Sequence, residues 1–269
     1  MPDRFPTSRH LLVPLMMVVL LVAVSPVPAG RGNLGEPRIL TGSQYDVTIG
    51  LTVFTHVITP GETNTNVNAD LVSQMNTHIS FNAAVSSDPF DPNAVAFEVL
   101  TARGEEVQDL QICETSASAT TLGVYIPMGK DTAMIGLPTA MNADGTYTLT
   151  LRRWDGAQVV HTYNTSVSPN NTVSGLISSL VADLTADGFT LVQGATYLSI
   201  RRAGDMMTYV KIVATDTGII NTCTRMLPSA GVVPTLSQYG FFALILLMTG
   251  AAMLMLRRKS GQDGAPSRS

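Results

Sequence analysis

The chain has 269 residues, 45% of them hydrophobic and only 13% charged, with a formal net charge of −4 at pH 7. From Gly30 to Val233 it is more acidic, 10 Lys and Arg against 18 Asp and Glu, which disfavours nucleic acid as a partner because phosphate binding needs a basic surface. Two cysteines, with no Cys-x-x-Cys and no paired histidines, exclude a zinc ribbon or thioredoxin-like redox motif, and nothing implies a cofactor.

Arg4, Arg9 and His10 precede an apolar run from Leu11 to Val24, followed by Ser25-Pro26-Val27-Pro28-Ala29-Gly30. A basic start, a run shorter than the roughly 20 residues that span a bilayer, and small residues after it describe a secretory signal peptide over residues 1–29. Signal peptidase would cut after Ala29. An uncleaved N-terminal anchor is the alternative, because Pro26 and Pro28 disfavour processing. Residues 30–44 then form an N-terminal lead.

The middle reads as one α+β module written twice, over residues 45–131 and 132–225, each an antiparallel sheet carrying one helix in two layers. Tyr45 to Val53 alternates apolar and polar residues, Phe54 to Ile58 returns, and Pro60-Gly61 is the turn. Val67, Leu71, Met75 and Ile79 mark one face of a helix. Asp88-Pro89-Phe90-Asp91-Pro92-Asn93 is an inserted loop, since two prolines bar central pairing. Ala94 to Leu100 and Glu106 to Cys113 close the first module. Thr115 to Asp144 links the two, with Val124-Tyr125-Ile126 as one further strand.

Tyr147 to Leu151, an Asp155-Gly156 turn and Gln158 to Asn164 form a hairpin in the second module. A helix follows through Val173, Leu176, Ile177, Leu180, Val181 and Leu184, capped by Asn170 or Asn171 and ended near Gly188. Thr196 to Arg201 and Met207 to Ala214 close it. The order strand, strand, helix, strand, strand thus recurs at an offset of about 100 residues. The stretch from Gly145 to Thr217 resembles small architectural modules of phage tail and bacterial surface proteins.

Cys113 and Cys223 both lie in the exported part, where disulfides persist. A bridge between them would close a loop of about 110 residues and stabilise the fold by roughly 4 kcal/mol; two separate buried thiols are the other reading. Residues 45–131 hold 11 acids against Arg103 and Lys130, while residues 142–225 hold six of each sign. Arg152, Arg153, Arg201 and Arg202 come in pairs, and strand alternation puts one of each pair on an exposed face. They are candidate anion-binding residues, meeting either the acidic first module or an envelope polysaccharide.

No G-x-S-x-G elbow accompanies His56, His78 and His161, so no nucleophilic site is assembled and the chain reads as a non-enzyme. Asp88 with Asp91, Glu105 with Glu106 and Asp109, and Asn142 with Asp144 do not fit a calcium loop and read as solvated turns, with no metal site.

After a linker over residues 226–232 comes Val233-Pro234-Thr235-Leu236-Ser237-Gln238-Tyr239-Gly240, then the uncharged run Phe241 to Leu256, then Arg257-Arg258-Lys259. The run reads as a transmembrane helix over residues 241–256. The three cations stop transfer and place residues 260–269 in the cytoplasm and residues 30–233 outside.

Residues 233–259 resemble the IPTL-CTERM sorting signal, which reads close to Ile-Pro-Thr-Leu-Ser-Glu-Trp-Gly; Pro234, Thr235, Leu236, Ser237 and Gly240 match it. The resemblance implies recognition by an exosortase-type membrane peptidase of a Gram-negative envelope, which removes the helix and releases or re-attaches the ectodomain. Leu227-Pro228-Ser229-Ala230-Gly231 looks like a degenerate sortase signal and competes with it. The sequence therefore predicts an exported cell-envelope or extracellular-matrix protein with a structural or binding role. A secreted hydrolase acting on surface glycans and a pilus-like surface subunit are the alternatives. A cleft holding perturbed carboxyl groups would favour the hydrolase.

Overall fold

The structure is a computed structural model that describes residues 29–35, 43–115, 119–216, 218–219 and 222–227. The predicted signal peptide, sorting signal, membrane helix and basic tail lie outside the described residues. Among those described, no helix is long and apolar enough to cross a membrane.

The fold is α+β, with two seven-stranded, all-antiparallel sheets and two helices among the described residues. In chain order the first half contributes β1 (Gly30–Gly35), β2 (Gln44–Ile49), β3 (Thr52–Val57), α1 (Asn64–Thr77), β4 (Phe81–Asp88), β5 (Asp91–Thr101), β6 (Leu110–Glu114) and β7 (Thr120–Lys130). The second half contributes β8 (Thr132–Gly136), β9 (Thr146–Arg153), β10 (Gln158–Asn164), α2 (Val173–Ala186), β11 (Thr190–Gln193), β12 (Tyr197–Arg201), β13 (Met207–Ala214) and β14 (Thr222–Leu227). One sheet runs β10-β9-β13-β7-β1-β5-β4 and the other β11-β12-β8-β14-β6-β2-β3.

Moving seven strands along the chain, from β1 to β8 and so on to β14, turns the order of one sheet into the order of the other. The chain is therefore a topological duplication in which each half gives strands to both sheets. Gly30 and Thr132, the first residues of β1 and β8, are 102 residues apart, and the first residues of α1 and α2 are 109 apart.

This differs from the expected four-stranded sheet within each half. Segments 94–100 and 106–113 look like a hairpin in sequence, yet β5 and β6 belong to opposite sheets, as do β12 and β13. Period-two burial fixes which face of a strand is apolar, but either sheet of a sandwich can receive that face.

The core lies between the sheets. Leu122, Val124 and Ile126 of β7, Val210 and Ile212 of β13, and Leu149 and Leu151 of β9 meet Leu110 and Ile112 of β6, Ile135 of β8 and Met226 of β14. Helix α1 packs against β3, β4 and β5, and α2 against β10 and β11. Val67, Leu71 and Met75 of α1 are wholly buried, each worth about 1.5–3 kcal/mol of apolar burial. Ile79, expected on that face, lies past the helix end and is 92% exposed. The helices start at Thr63 and Thr172, whose hydroxyls accept from the N–H groups of Asn66 and Gly175; neither Asn170 nor Asn171 is the cap.

Further differences are local. The segment read as a lead contains β1, which pairs with β5 on one side and β7 on the other. It runs at close quarters: a Cβ on Gly32 would sit 2.2 Å from the Phe97 ring, so only glycine fits. The β2–β3 turn falls at Gly50-Leu51, ahead of the expected division between Val53 and Phe54, and Gly50 there has φ +62; Pro60-Gly61 lies between β3 and α1. The supposed loop at residues 88–93 is the tip of the β4–β5 hairpin. Its prolines are tolerated because β1 pairs with β5 only from Ala96 onward.

Candidate functional site

The arginine pairs lie on β9 and β12, at or next to the strand ends. Across the non-core face of the first sheet, register aligns Arg152 with Tyr209, Tyr209 with Tyr125, Tyr125 with Arg31, and Arg31 with Glu98. Phe90, at the β4–β5 tip, folds over this row. Its ring centroid is 4.8 Å from that of Tyr209 and 5.5 Å from that of Tyr125. The Arg152 guanidinium stands over the Phe90 ring, 4.4 Å from its centroid, a cation–π contact. Asp88 fastens the tip: its carboxylate accepts from Tyr209 Oη at 2.6 Å and from the Phe90 N–H at 2.8 Å, with Lys211 Nζ at 3.7 Å.

Arg153 turns the other way. It pairs with Asp155 and, at 3.4 Å, with Asp205, which Arg202 also approaches at 3.5 Å. Arg202 lies over the Phe189 ring at 5.7 Å, and Arg201 pairs with Asp131 at 3.8 Å. The structure thus joins Arg153 and Arg202 through one carboxylate and sends Arg152 and Arg201 elsewhere.

Trp154 and Met206 adjoin this cluster. The Trp154 N–H donates to the Met206 carbonyl at 2.8 Å, and both side chains are half exposed, at 59% and 50%. The exposed Trp154 indole, next to Arg153 in the chain, is a face on which a sugar ring can stack.

Charge is also exchanged between the halves. Lys211 meets Asp88, Arg201 meets Asp131, and the Arg225 guanidinium donates to Asp109 at 2.9 Å. Three cations of the second half so face acids of the first.

His56 and His161 occupy β3 and β10, equivalent strands of the two repeats. The His56 ring contacts Asp70 Oδ2 at 2.8 Å through Nδ1 and Glu62 Oε2 at 3.1 Å through Nε2. Both contacts are hydrogen bonds only when the ring is an imidazolium. Burial alone would lower the His56 pKa, but the two carboxylates outweigh it and hold it above the ordinary 6.5. The Thr59 N–H first and His56 second lower Glu62 from its ordinary 4.5, and His56 lowers Asp70 from 3.8. A raised histidine stabilises fully below 6.5, and that contribution is lost as pH rises through its folded value. Lowered carboxylates contribute above their ordinary values and lose that contribution as pH falls. The trio is therefore expected to stabilise most between pH 4.5 and 6.5. Denaturation midpoints taken across pH should fall above that window in the wild type, and His56→Gln should flatten the decline. Near His161, Nε2 lies 2.7 Å from Asp187 Oδ2, and Tyr163 Oη donates to Asp183 at 2.9 Å. These histidines tie helix to edge strand.

Cys113 and Cys223 stand directly opposite each other on β6 and β14, with Cα atoms 4.1 Å apart, and are joined as a disulfide. Asp216 is fully buried. It accepts from the N–H groups of Asn142 at 2.9 Å, Gly218 at 2.9 Å and Asp144 at 3.3 Å, and from the Thr165 hydroxyl at 3.0 Å. Sequence reasoning singled out Asn142 and Asp144 for their side chains, whereas here it is their backbone that binds. Among the described residues no cluster of three or more metal-ligating side chains occurs. A groove of about 630 Å³ runs beside α2, lined by Val173, Ile177, Val181 and Ala182 with Ser174, Ser178 and Gln193. Its lining carries no ionisable side chain.

No family model matches the chain, and no curated protein matches it. Among solved structures it is similar to the flagellar cap protein FliD from Helicobacter pylori, with 12% identity and a TM-score of 0.23. The match covers 73% of this chain and 57% of that one, an overlap that defines neither a shared fold nor a shared function.

Proposed function

We propose that this is an exported protein of a bacterial cell envelope or extracellular matrix, with a structural or binding role, delivered by its C-terminal signal. The observation that carries the reading is the disulfide across β6 and β14. It joins the two repeats at the centre of one sheet, and such a bond belongs to a chain matured in an oxidising compartment. That agrees with the leader at residues 1–29 and the tripartite signal at residues 233–259.

A structural or binding role draws support from the site. The candidate arginines face aromatic rings and acids of the same chain, and the groove at α2 offers no acid–base pair. The envelope polysaccharide is the proposed partner, with the exposed Trp154, next to Arg153 in the chain, as its platform. The membrane is engaged through residues 241–256, and signal peptidase and an exosortase-type peptidase act on the two ends.

Deleting residues 233–240 in the native host tests the sorting step. The expected result is a form still ending at Ser269 that collects in the membrane fraction, while the unaltered chain is shortened. An unchanged distribution and unchanged C-terminus would overturn the reading.

A further inference from the structure

We propose that Lys130, Gln108 and Glu106 form an isopeptide site in which Lys130 Nζ displaces ammonia from the Gln108 side-chain amide while Glu106 carries the proton. Lys130 is the last residue of β7, at the passage from one repeat to the next, and Glu106 and Gln108 lie between β5 and β6. Lys130 and Glu106 are 6% and 5% exposed. The amine's short contact is with the amide, since Nζ donates to Gln108 Oε1 at 3.0 Å. Gln108 Nε2 donates to the Glu106 carbonyl at 3.2 Å, which fixes the amide's orientation.

Glu106 Oε1 accepts from the Met128 N–H at 2.8 Å, whereas Oε2 is buried without a hydrogen bond, 3.6 Å from Nζ. A well-made charged pair would close to under 3 Å. Oε2 is the carboxyl oxygen that faces the amine, and a small approach from 3.6 Å brings it within reach of the proton. Burial pushes the Glu106 carboxyl above its ordinary value, with the Met128 N–H and Lys130 opposing it.

The chemistry balances without a co-reactant. Glu106 takes a proton from the Lys130 ammonium; the freed Nζ lone pair attacks Gln108 Cδ; Glu106 passes that proton to the departing nitrogen, then takes the second proton from Nζ as the amide forms and gives it up to the released ammonia. The Nζ–Cδ bond forms, the Cδ–Nε2 bond breaks, and one ammonia leaves. Gln108 reaches the surface, so the ammonia has a path to solvent.

The test is tryptic mapping of the mature protein from its native host after reduction of the disulfide. Trypsin should cut after Arg103 and Arg152 but not after Lys130, giving residues 104–152 as one peptide lighter than its sequence by one ammonia. Cleavage after Lys130, with residues 104–130 at full sequence mass, would overturn the proposal. Glu106→Gln should restore cleavage, and a Glu106→Gln protein that is still linked would refute the role given to Glu106. If that variant does not fold, the wild-type map decides the matter alone.

Discussion

Replacing both Cys113 and Cys223 by Ser is expected to lower the unfolding free energy by about 4–5 kcal/mol, the largest single loss anticipated for the fold. The two cysteines are 110 residues apart, and loop-closure entropy for a ring of that size gives this magnitude. The bond also sits where one repeat meets the other, between central strands β6 and β14. Without it the unfolded chain can separate its halves fully, and refolding must again find a long-range antiparallel pairing. Chemical denaturation of the wild type with and without reductant, beside the double Ser variant, measures the effect. Equal midpoints in all three would show that the bridge contributes nothing.

Asp216→Ala is expected to cost about 3–5 kcal/mol, because it removes the acceptor of three backbone N–H groups and a buried hydroxyl, at about 1 kcal/mol each. Burial would raise the pKa of this carboxyl, but the N–H groups of Asn142 and Gly218, then the Thr165 hydroxyl and the Asp144 N–H, hold it below the ordinary 3.8. With a lowered carboxylate the contribution is present above 3.8 and disappears as pH falls through the folded value. The wild type should therefore lose stability in acid, a loss that Asp216→Ala, already destabilised, should show less. Asp216→Asn retains one acceptor oxygen and should fall between the two in denaturant midpoint.

The helices and the β9–β10 hairpin were legible in the sequence because one side chain per turn, or one per two residues, announces a buried face. Leu176, Leu180 and Leu184 are buried as the helical period requires, and the Asp155-Gly156 turn sits between β9 and β10, with Gly156 at φ +86. Strand β1 was not legible. Its core-facing positions include Gly30 and Gly32, chosen for close approach, so no apolar alternation marks it. Strand β14 hides for the opposite reason: it buries Thr222 and Thr224 and half-exposes Cys223 and Arg225, reversing the pattern that identifies a core face. The interlocking of the halves could not be read either, since a strand's period says nothing of which sheet receives it.

The candidate site was legible in composition and not in partnership. Strand alternation placed the paired arginines on two faces, but only the fold brings Phe90 beneath Arg152 and Asp205 between Arg153 and Arg202. Asp88 and Glu106 stood out in the sequence only as members of acidic clusters read as solvated turns, and Asp216 not at all, because what distinguishes all three is burial beside groups far along the chain.

The most direct test is the intact mass of the protein from its native host, taken without reductant on cell-bound and secreted fractions. The expected chain begins near Gly30, ends within residues 233–240 and shifts by two hydrogens when the Cys113–Cys223 bond is reduced. A chain that still ends at Ser269, or that carries free thiols at Cys113 and Cys223, would contradict it.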